Sequence, residues 1–361
     1  MKTKKIIILT LIIVVFGLVN VYSSSHIWAY YKYGDSLFYI KRQAIFACLG
    51  LIAMYMTSQI DYHFYKEHYK KIIGGCFLLL ILVLIPGLGV VRGGSRSWFN
   101  FGFFALQPSE LFKIGMIIYA AVYIEDNYYR MNRLKYSFRL LVVMGLGFLL
   151  IMLQPDFGSG VVMACSIVVM LIVSPFPFIY FIILGCFAIV GIIFMILSAP
   201  YRMERILSFL DPFQDPLGSG FQAIQSLYAI GPGGLLGAGF DNSIQKHFYL
   251  PEPQTDFIFA IIAEEYGFIG GVALIGVYLT LFKTVLKISQ NVRDLFGSLL
   301  MIGIISMIGI QTLINLGVVV GLFPVTGVTL PLISYGGTSL TITLMSIGIL
   351  INISKSANNM L

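Results

Sequence analysis

The segments YRMERILSFLDPFQDP (Tyr201–Pro216), GSGFQAIQS (Gly218–Ser226), GPGGLLGAG (Gly231–Gly239) and QKHFYLPEPQTDFIFAIIAEEYG (Gln245–Gly267) make one long polar stretch, and the chain is almost continuously apolar on both sides of it. Residues 201–267 hold eight of the sixteen carboxylates: Glu204, Asp211, Asp215, Asp241, Glu252, Asp256, Glu264 and Glu265. Apolar walls carry no chemistry of their own, so a polar insert of this length is where chemistry is expected. Near its end Pro251 and Pro253 stiffen the backbone, the sequence turns apolar after Asp256, and Thr255 or Asp256 is placed to cap the helix that follows.

The composition surrounding that insert excludes a soluble protein. Of 361 residues, 58% are hydrophobic and 11% charged, and the mean hydropathy is +0.91. A soluble domain carries about 25% charged residues. Apolar runs long enough to cross a bilayer as helices recur near 6–21, 43–60, 71–87, 109–124, 139–153, 158–175, 178–198, 257–282, 297–321 and 329–353. The fold class is therefore all-α, a polytopic integral membrane protein of about ten transmembrane helices. Residues 1–361 form a single transmembrane domain, with 199–256 as a long external loop between helices 7 and 8. The first span is expected to stay uncleaved. The net charge of +7 fits membrane anchoring and an anionic lipid partner, with no nucleic acid. Cys48, Cys76, Cys165 and Cys186 all fall in apolar runs and read as small core residues without a disulfide or metal pattern.

Charge in the loops orients the chain. With both termini cytoplasmic, the inner segments hold fourteen of the 23 basic residues, from Lys2, Lys4 and Lys5 to Lys355. This positive-inside bias puts 199–256 outside.

Short polar motifs interrupt the apolar background. RGGSRSWF (Arg92–Phe99) opens the second external loop and QPSELFK (Gln107–Lys113) closes it. On a helix beginning near Pro108, Glu110 and Lys113 are three apart and share a face. An ionisable pair inside a membrane is a functional candidate, or else a lock between two helices. In QPDFG (Gln154–Gly158), Asp156 is expected to cap the following helix. Gln311, Asn315 and Thr326 punctuate later apolar sequence, and PLISYGGTS (Pro331–Ser339) interrupts the last span. Unwound backbone at membrane depth is tolerated where protein buries it or where it lines a wet cavity, so the last two spans are expected to face an internal cleft.

The order of these motifs, from RGGSRSWF through QPDFG and LPEPQTDFIFAIIAEE to NLGVVVGLFPVTGVTLPLISYGGTS, resembles the SEDS (shape, elongation, division and sporulation) family of RodA, FtsW and SpoVE over nearly the whole chain. That resemblance implies a ten-helix glycosyltransferase of the bacterial cytoplasmic membrane that polymerises lipid II into peptidoglycan. It also implies a nascent glycan strand as product and a class B penicillin-binding protein as partner.

The residues fit such chemistry. Glycosyl transfer from a lipid pyrophosphate needs a base for the attacking hydroxyl and no strong acid, because pyrophosphate leaves as a stabilised anion; one carboxylate suffices, unlike the pair in glycosidases. Asp256, at the junction of loop and helix, is the expected general base. Glu264 and Glu265, roughly 12–14 Å further along a helix, are expected to be structural or to line the cavity. The pyrophosphate needs cations, and Arg202, Arg205, Lys246, Arg96 and Lys113 are the candidates, with Trp98 and Glu110 completing the substrate-binding set. A divalent metal is compatible with this chemistry, although no dense ligand cluster marks one and no other cofactor is expected. The rival expectation is a lipid II flippase using the intramembrane polar residues as a headgroup path. A non-catalytic scaffold leaves the loop's charged residues unexplained.

Overall fold

The computed structural model describes residues 2–92, 94–102, 104–197 and 200–358. Ten long helices account for most of it: α1 (Lys2–Tyr33), α2 (Phe38–Thr57), α3 (His63–Leu82), α4 (Pro108–Asp126), α5 (Leu134–Leu153), α6 (Phe157–Ile172), α7 (Phe178–Leu197), α10 (Ile258–Ser289), α11 (Leu295–Val319) and α12 (Gly337–Asn358). Two shorter helices, α8 (Pro200–Leu210) and α9 (Phe221–Gly233), lie inside the long loop. Among the described residues, α1, α2, α5, α10, α11 and α12 are each long and apolar enough to cross a membrane. The ten spans expected from hydropathy are the ten long helices, with the last beginning at Gly337 because Pro331–Gly336 stays unwound.

Burial runs inside out, as expected where lipid covers the surface. On α1, Ile8, Ile12, Val15 and Val19 are exposed while Thr10, Asn20, Ser23 and Ser24 are buried. Helix association in lipid rests on close packing and interhelical hydrogen bonds rather than on apolar burial, which favours small and polar residues inside. Three of the four cysteines correct the expectation made for them: Cys48, Cys165 and Cys186 are exposed, and only Cys76 is buried. Helix α4 is buried on most of its length and packs against α3, α6 and α11, so the residues it carries sit at the centre of the bundle.

The loops gather by end. At one end Thr3 Oγ1 meets Ser354 Oγ at 2.7 Å, Lys66 pairs with Glu125, and Tyr62 donates to Asp294, so both ends of the chain lie together. At the other end Ser95 reaches the carbonyl of Gln154, Gln107 reaches Asp156, and Asn315 reaches the carbonyl of Asp256. Here the all-α expectation needs one amendment. The RGGSRSWF loop is a small antiparallel sheet of β1 (Gly89–Arg92), β2 (Ser95–Asn100) and β3 (Ala105–Leu106). Cysteines introduced by Ser219→Cys and Lys287→Cys, both at exposed positions, will label with impermeant reagents from opposite membrane faces, position 219 from outside. Labelling of both from one face would break the ten-span topology.

Helix α10 is kinked at Gly267 (φ 66°, ψ −167°), and the GPGGLLGAG loop fills the break. The N–H groups of Ala238 and Gly239 donate to the carbonyls of Glu264 and Glu265, and those of Phe268 and Ile269 donate to Gly234 and Leu235. These four bonds give partners to backbone groups that the kink frees, which backbone at membrane depth requires. A Cβ on Gly267 would lie 2.3 Å from Gly237 N, and one on Gly237 would lie 2.2 Å from Glu265 O. Both glycines also have positive φ, so neither position accepts a side chain without shifting the loop.

Candidate active site

A cavity of about 580 Å³ opens among α2, α4, α6, α11, the small sheet and the 324–339 segment. Trp98, Glu110, Lys113 and Asp256 line it, as do Arg42, Asp156, Glu252, Gln311, Tyr335 and Ser339. One catalytic candidate and three substrate-binding candidates named from the sequence thus line a common space.

Asp256 is half-buried, and its Oδ1 accepts from Thr255 Oγ1 at 2.8 Å. It does not cap α10: the N-terminal residue flanking that helix is Phe257, and no side chain caps it. The carboxylate is thus held at the cavity wall instead of being spent on the helix end. Its backbone is pinned by Asn315, whose Nδ2 donates to Asp256 O at 2.7 Å.

Glu110 and Lys113 form the expected i, i+3 pair, at 2.7 Å and with both residues buried. Lys113 Nζ also donates to Gln311 Oε1 at 2.9 Å, and Ser339 Oγ donates to Glu110 Oε2 at 3.3 Å. The pair links α4 to α11 and α12, and both residues also line the cavity. Asp156 caps α6 by accepting from Ser159 N, and its Oδ2 accepts from Gln107 and Ser109 at 2.8 and 2.9 Å.

Two expected cations are placed elsewhere. Lys246 is buried and absent from the cavity lining: its ammonium pairs with Asp241 and with Glu265 Oε1 at 3.2 Å. Glu265 also accepts from Ser23 Oγ, and Glu264 accepts from Ser243 Oγ and Ile244 N. Two adjacent carboxylates inside an apolar helix need compensation, and Lys246 with the loop's donors supplies it. Of the two expectations for Glu264 and Glu265, these contacts fit the structural one, and neither residue lines the cavity. Arg96 Nη1 donates to Leu84 O at 3.4 Å and does not line the cavity, although Ser95, Ser97 and Trp98 on the same strand do. The side chains of Arg202 and Arg205 lie outside the described residues.

Arg42 is the cavity cation that the sequence did not single out. It sits in the first turns of α2, with its guanidinium 4.5 Å from the Phe38 ring. Its signal was a basic residue followed directly by an apolar helix, masked by its neighbour Lys41, which pairs at the surface with Asp35. Tyr335 was also missed; its N–H donates to Gln254 O at 2.8 Å, tying the unwound PLISYGG segment to the approach to Asp256. Gln43 holds that segment from α2 by bonds to Ser334 O and Gly336 N. Among the described residues, no three His, Cys, Asp or Glu side chains converge as a metal site.

The chain as a whole is similar to proteins of a known family. A family model described as cell cycle protein, covering FtsW, RodA and SpoVE, matches residues 3–359. The chain is 49% identical to stage V sporulation protein E of Bacillus subtilis, over 98% of this chain and 99% of that one. It is 38% identical to a probable peptidoglycan glycosyltransferase FtsW of Geobacter sp. strain M18, over 97% and 95% of the two chains. Among solved structures it resembles a chain of a peptidoglycan synthase complex that coordinates polymerization and crosslinking, with TM-score 0.80, 31% identity and coverage of 98% and 97%. It also resembles the rod shape determining protein RodA of Thermus thermophilus, with TM-score 0.72, 27% identity and coverage of 97% and 96%.

Proposed function

The chain belongs to the FtsW, RodA and SpoVE family, and from that premise we propose that it is a peptidoglycan glycosyltransferase acting on lipid II at the outer face of the cytoplasmic membrane. Asp256 is the general base. It takes the proton of the attacking sugar hydroxyl as that oxygen bonds to the anomeric carbon of the donor, and the bond from that carbon to the pyrophosphate oxygen breaks with inversion. Polyprenyl pyrophosphate leaves as an anion, so no carboxylic acid is needed to protonate it. What carries the proposal is the shared cavity, lined by Asp256 and by the cations Arg42 and Lys113. A carboxylate alone would suit many roles; a carboxylate facing a site that can hold a diphosphate suits glycosyl transfer from a lipid diphosphate.

A class B penicillin-binding protein is the proposed partner, supported by the likeness to a chain of a synthase complex, and both termini are proposed to be cytoplasmic, supported by the basic residues gathered at their end. Purified chain with that partner, given labelled lipid II, will produce glycan strands; flipping of lipid II with no glycan at any enzyme concentration would replace this activity with transport. Arg42→Ala will lower kcat/KM for lipid II about tenfold or more, since a hydrogen bond to a charged group contributes about 1.5–3 kcal/mol. Unchanged turnover at limiting lipid II would move the diphosphate away from α2.

A further inference from the structure

Resting on that glycosyltransfer activity, we infer that Gln311 and Asn315 on α11 are positioning residues that fix the spacing between the Asp256 carboxylate and the Lys113 ammonium. Four residues apart, they lie on one helix face, about 6 Å apart along its axis. Both are buried, at 4% and 1% exposure, and α11 runs unbroken from Leu295 to Val319.

Each amide has its orientation dictated by its partners. Asn315 Nδ2 donates to Asp256 O at 2.7 Å and to Val328 O at 2.8 Å. Carbonyl oxygens only accept, so the reversed amide would set oxygen against two oxygens. The chosen orientation leaves Asn315 Oδ1 buried without a partner, a cost borne to keep both donor bonds. Gln311 Oε1 accepts from Lys113 Nζ at 2.9 Å, and its Nε2 donates to Thr329 O at 3.1 Å. An ammonium only donates, so this amide is fixed as well.

One rigid helical turn therefore holds the backbone that bears the base, the cation Lys113, and two successive carbonyls of residues lining the cavity. Asp256 and residues 328–329 lie outside any helix or strand, so no regular backbone ladder places them, and these side chains supply the restraint. Neither amide titrates near neutral pH, and Asn315 does not line the cavity; it acts through Asp256.

The test is initial-rate kinetics on the full chain with its penicillin-binding partner in vesicles, using labelled lipid II. Asn315→Ala will lower kcat about 10- to 100-fold with KM within about twofold, because displacing a catalytic group by about 1 Å costs that much. Gln311→Ala will act mainly on KM, raising it about tenfold, because it loosens Lys113. Thr312→Ala is the packing control: Thr312 is buried beside them, its hydroxyl donates to Ile308 O within the helix, and both constants should stay unchanged. Asn315→Ser keeps one donor and should fall between alanine and wild type, which carries the test if the alanine variant fails to insert. Wild-type kcat in inserted Asn315 variants, or an equal loss in Thr312→Ala, overturns the inference. Absence of glycan from the wild-type chain would instead overturn the activity on which it rests.

Discussion

Asp256→Asn will cut lipid II polymerisation about 10²- to 10⁴-fold, the contribution typical of a positioned general base, while membrane insertion and partner binding stay intact. The structure separates these two outcomes. Asparagine keeps the size of the side chain, and its amide oxygen can still accept from Thr255 Oγ1. The bond from Asn315 goes to the backbone carbonyl of residue 256 and survives the change. Helix α10 has no side-chain cap there to lose. What disappears is the proton acceptor. Asp256→Glu will also be poor, since the added methylene displaces the carboxylate by about a bond length and catalysis is sensitive at that scale. Glu264→Gln and Asp156→Asn will lose less, because those carboxylates hold the loop and cap α6. Near wild-type glycan synthesis by the asparagine variant would leave the base to be sought among the other carboxylates of the cavity, Glu252 first.

The sequence made the spans legible because lipid demands long apolar runs, and it exposed Asp256 because that residue stands where such a run begins. Glu110 and Lys113 were readable as a pair because three-residue spacing on a helix leaves little alternative. Three features escaped for physical reasons. The β1–β2 hairpin spans too few residues for a period of two to stand out against the neighbouring helices. Lys246 looked available because it lies in a loop with no helical spacing to signal its partners, Asp241 five residues before it and Glu265 19 residues after it; two adjacent glutamates inside an apolar run were the clue that some cation nearby was already engaged. The α10 kink was invisible as a kink, since Gly267 in an apolar helix reads as a packing glycine until the 231–239 loop is seen to hydrogen-bond across the break.

The buried pair offers the second large effect. Lys113→Met removes the ammonium and leaves Glu110 in a buried site with, among the described residues, the Ser339 hydroxyl as its remaining side-chain partner. Breaking a buried pair on one side costs about 3–5 kcal/mol, because an uncompensated charge stays behind. The variant will therefore lose both thermal stability in detergent and activity, and the single substitution cannot say which loss comes first. The double variant Glu110→Gln/Lys113→Met can. It removes both charges at nearly constant volume, a change that is often neutral or stabilising, and a glutamine at 110 keeps an oxygen that can still accept from Ser339. Its melting temperature should return close to wild type. Turnover should not return: a charged hydrogen bond to the diphosphate is worth about 1.5–3 kcal/mol, so kcat/KM should remain down by about 10- to 100-fold. If the double variant recovers turnover together with stability, the pair is only a lock between α4, α11 and α12, and Arg42 carries the diphosphate without it.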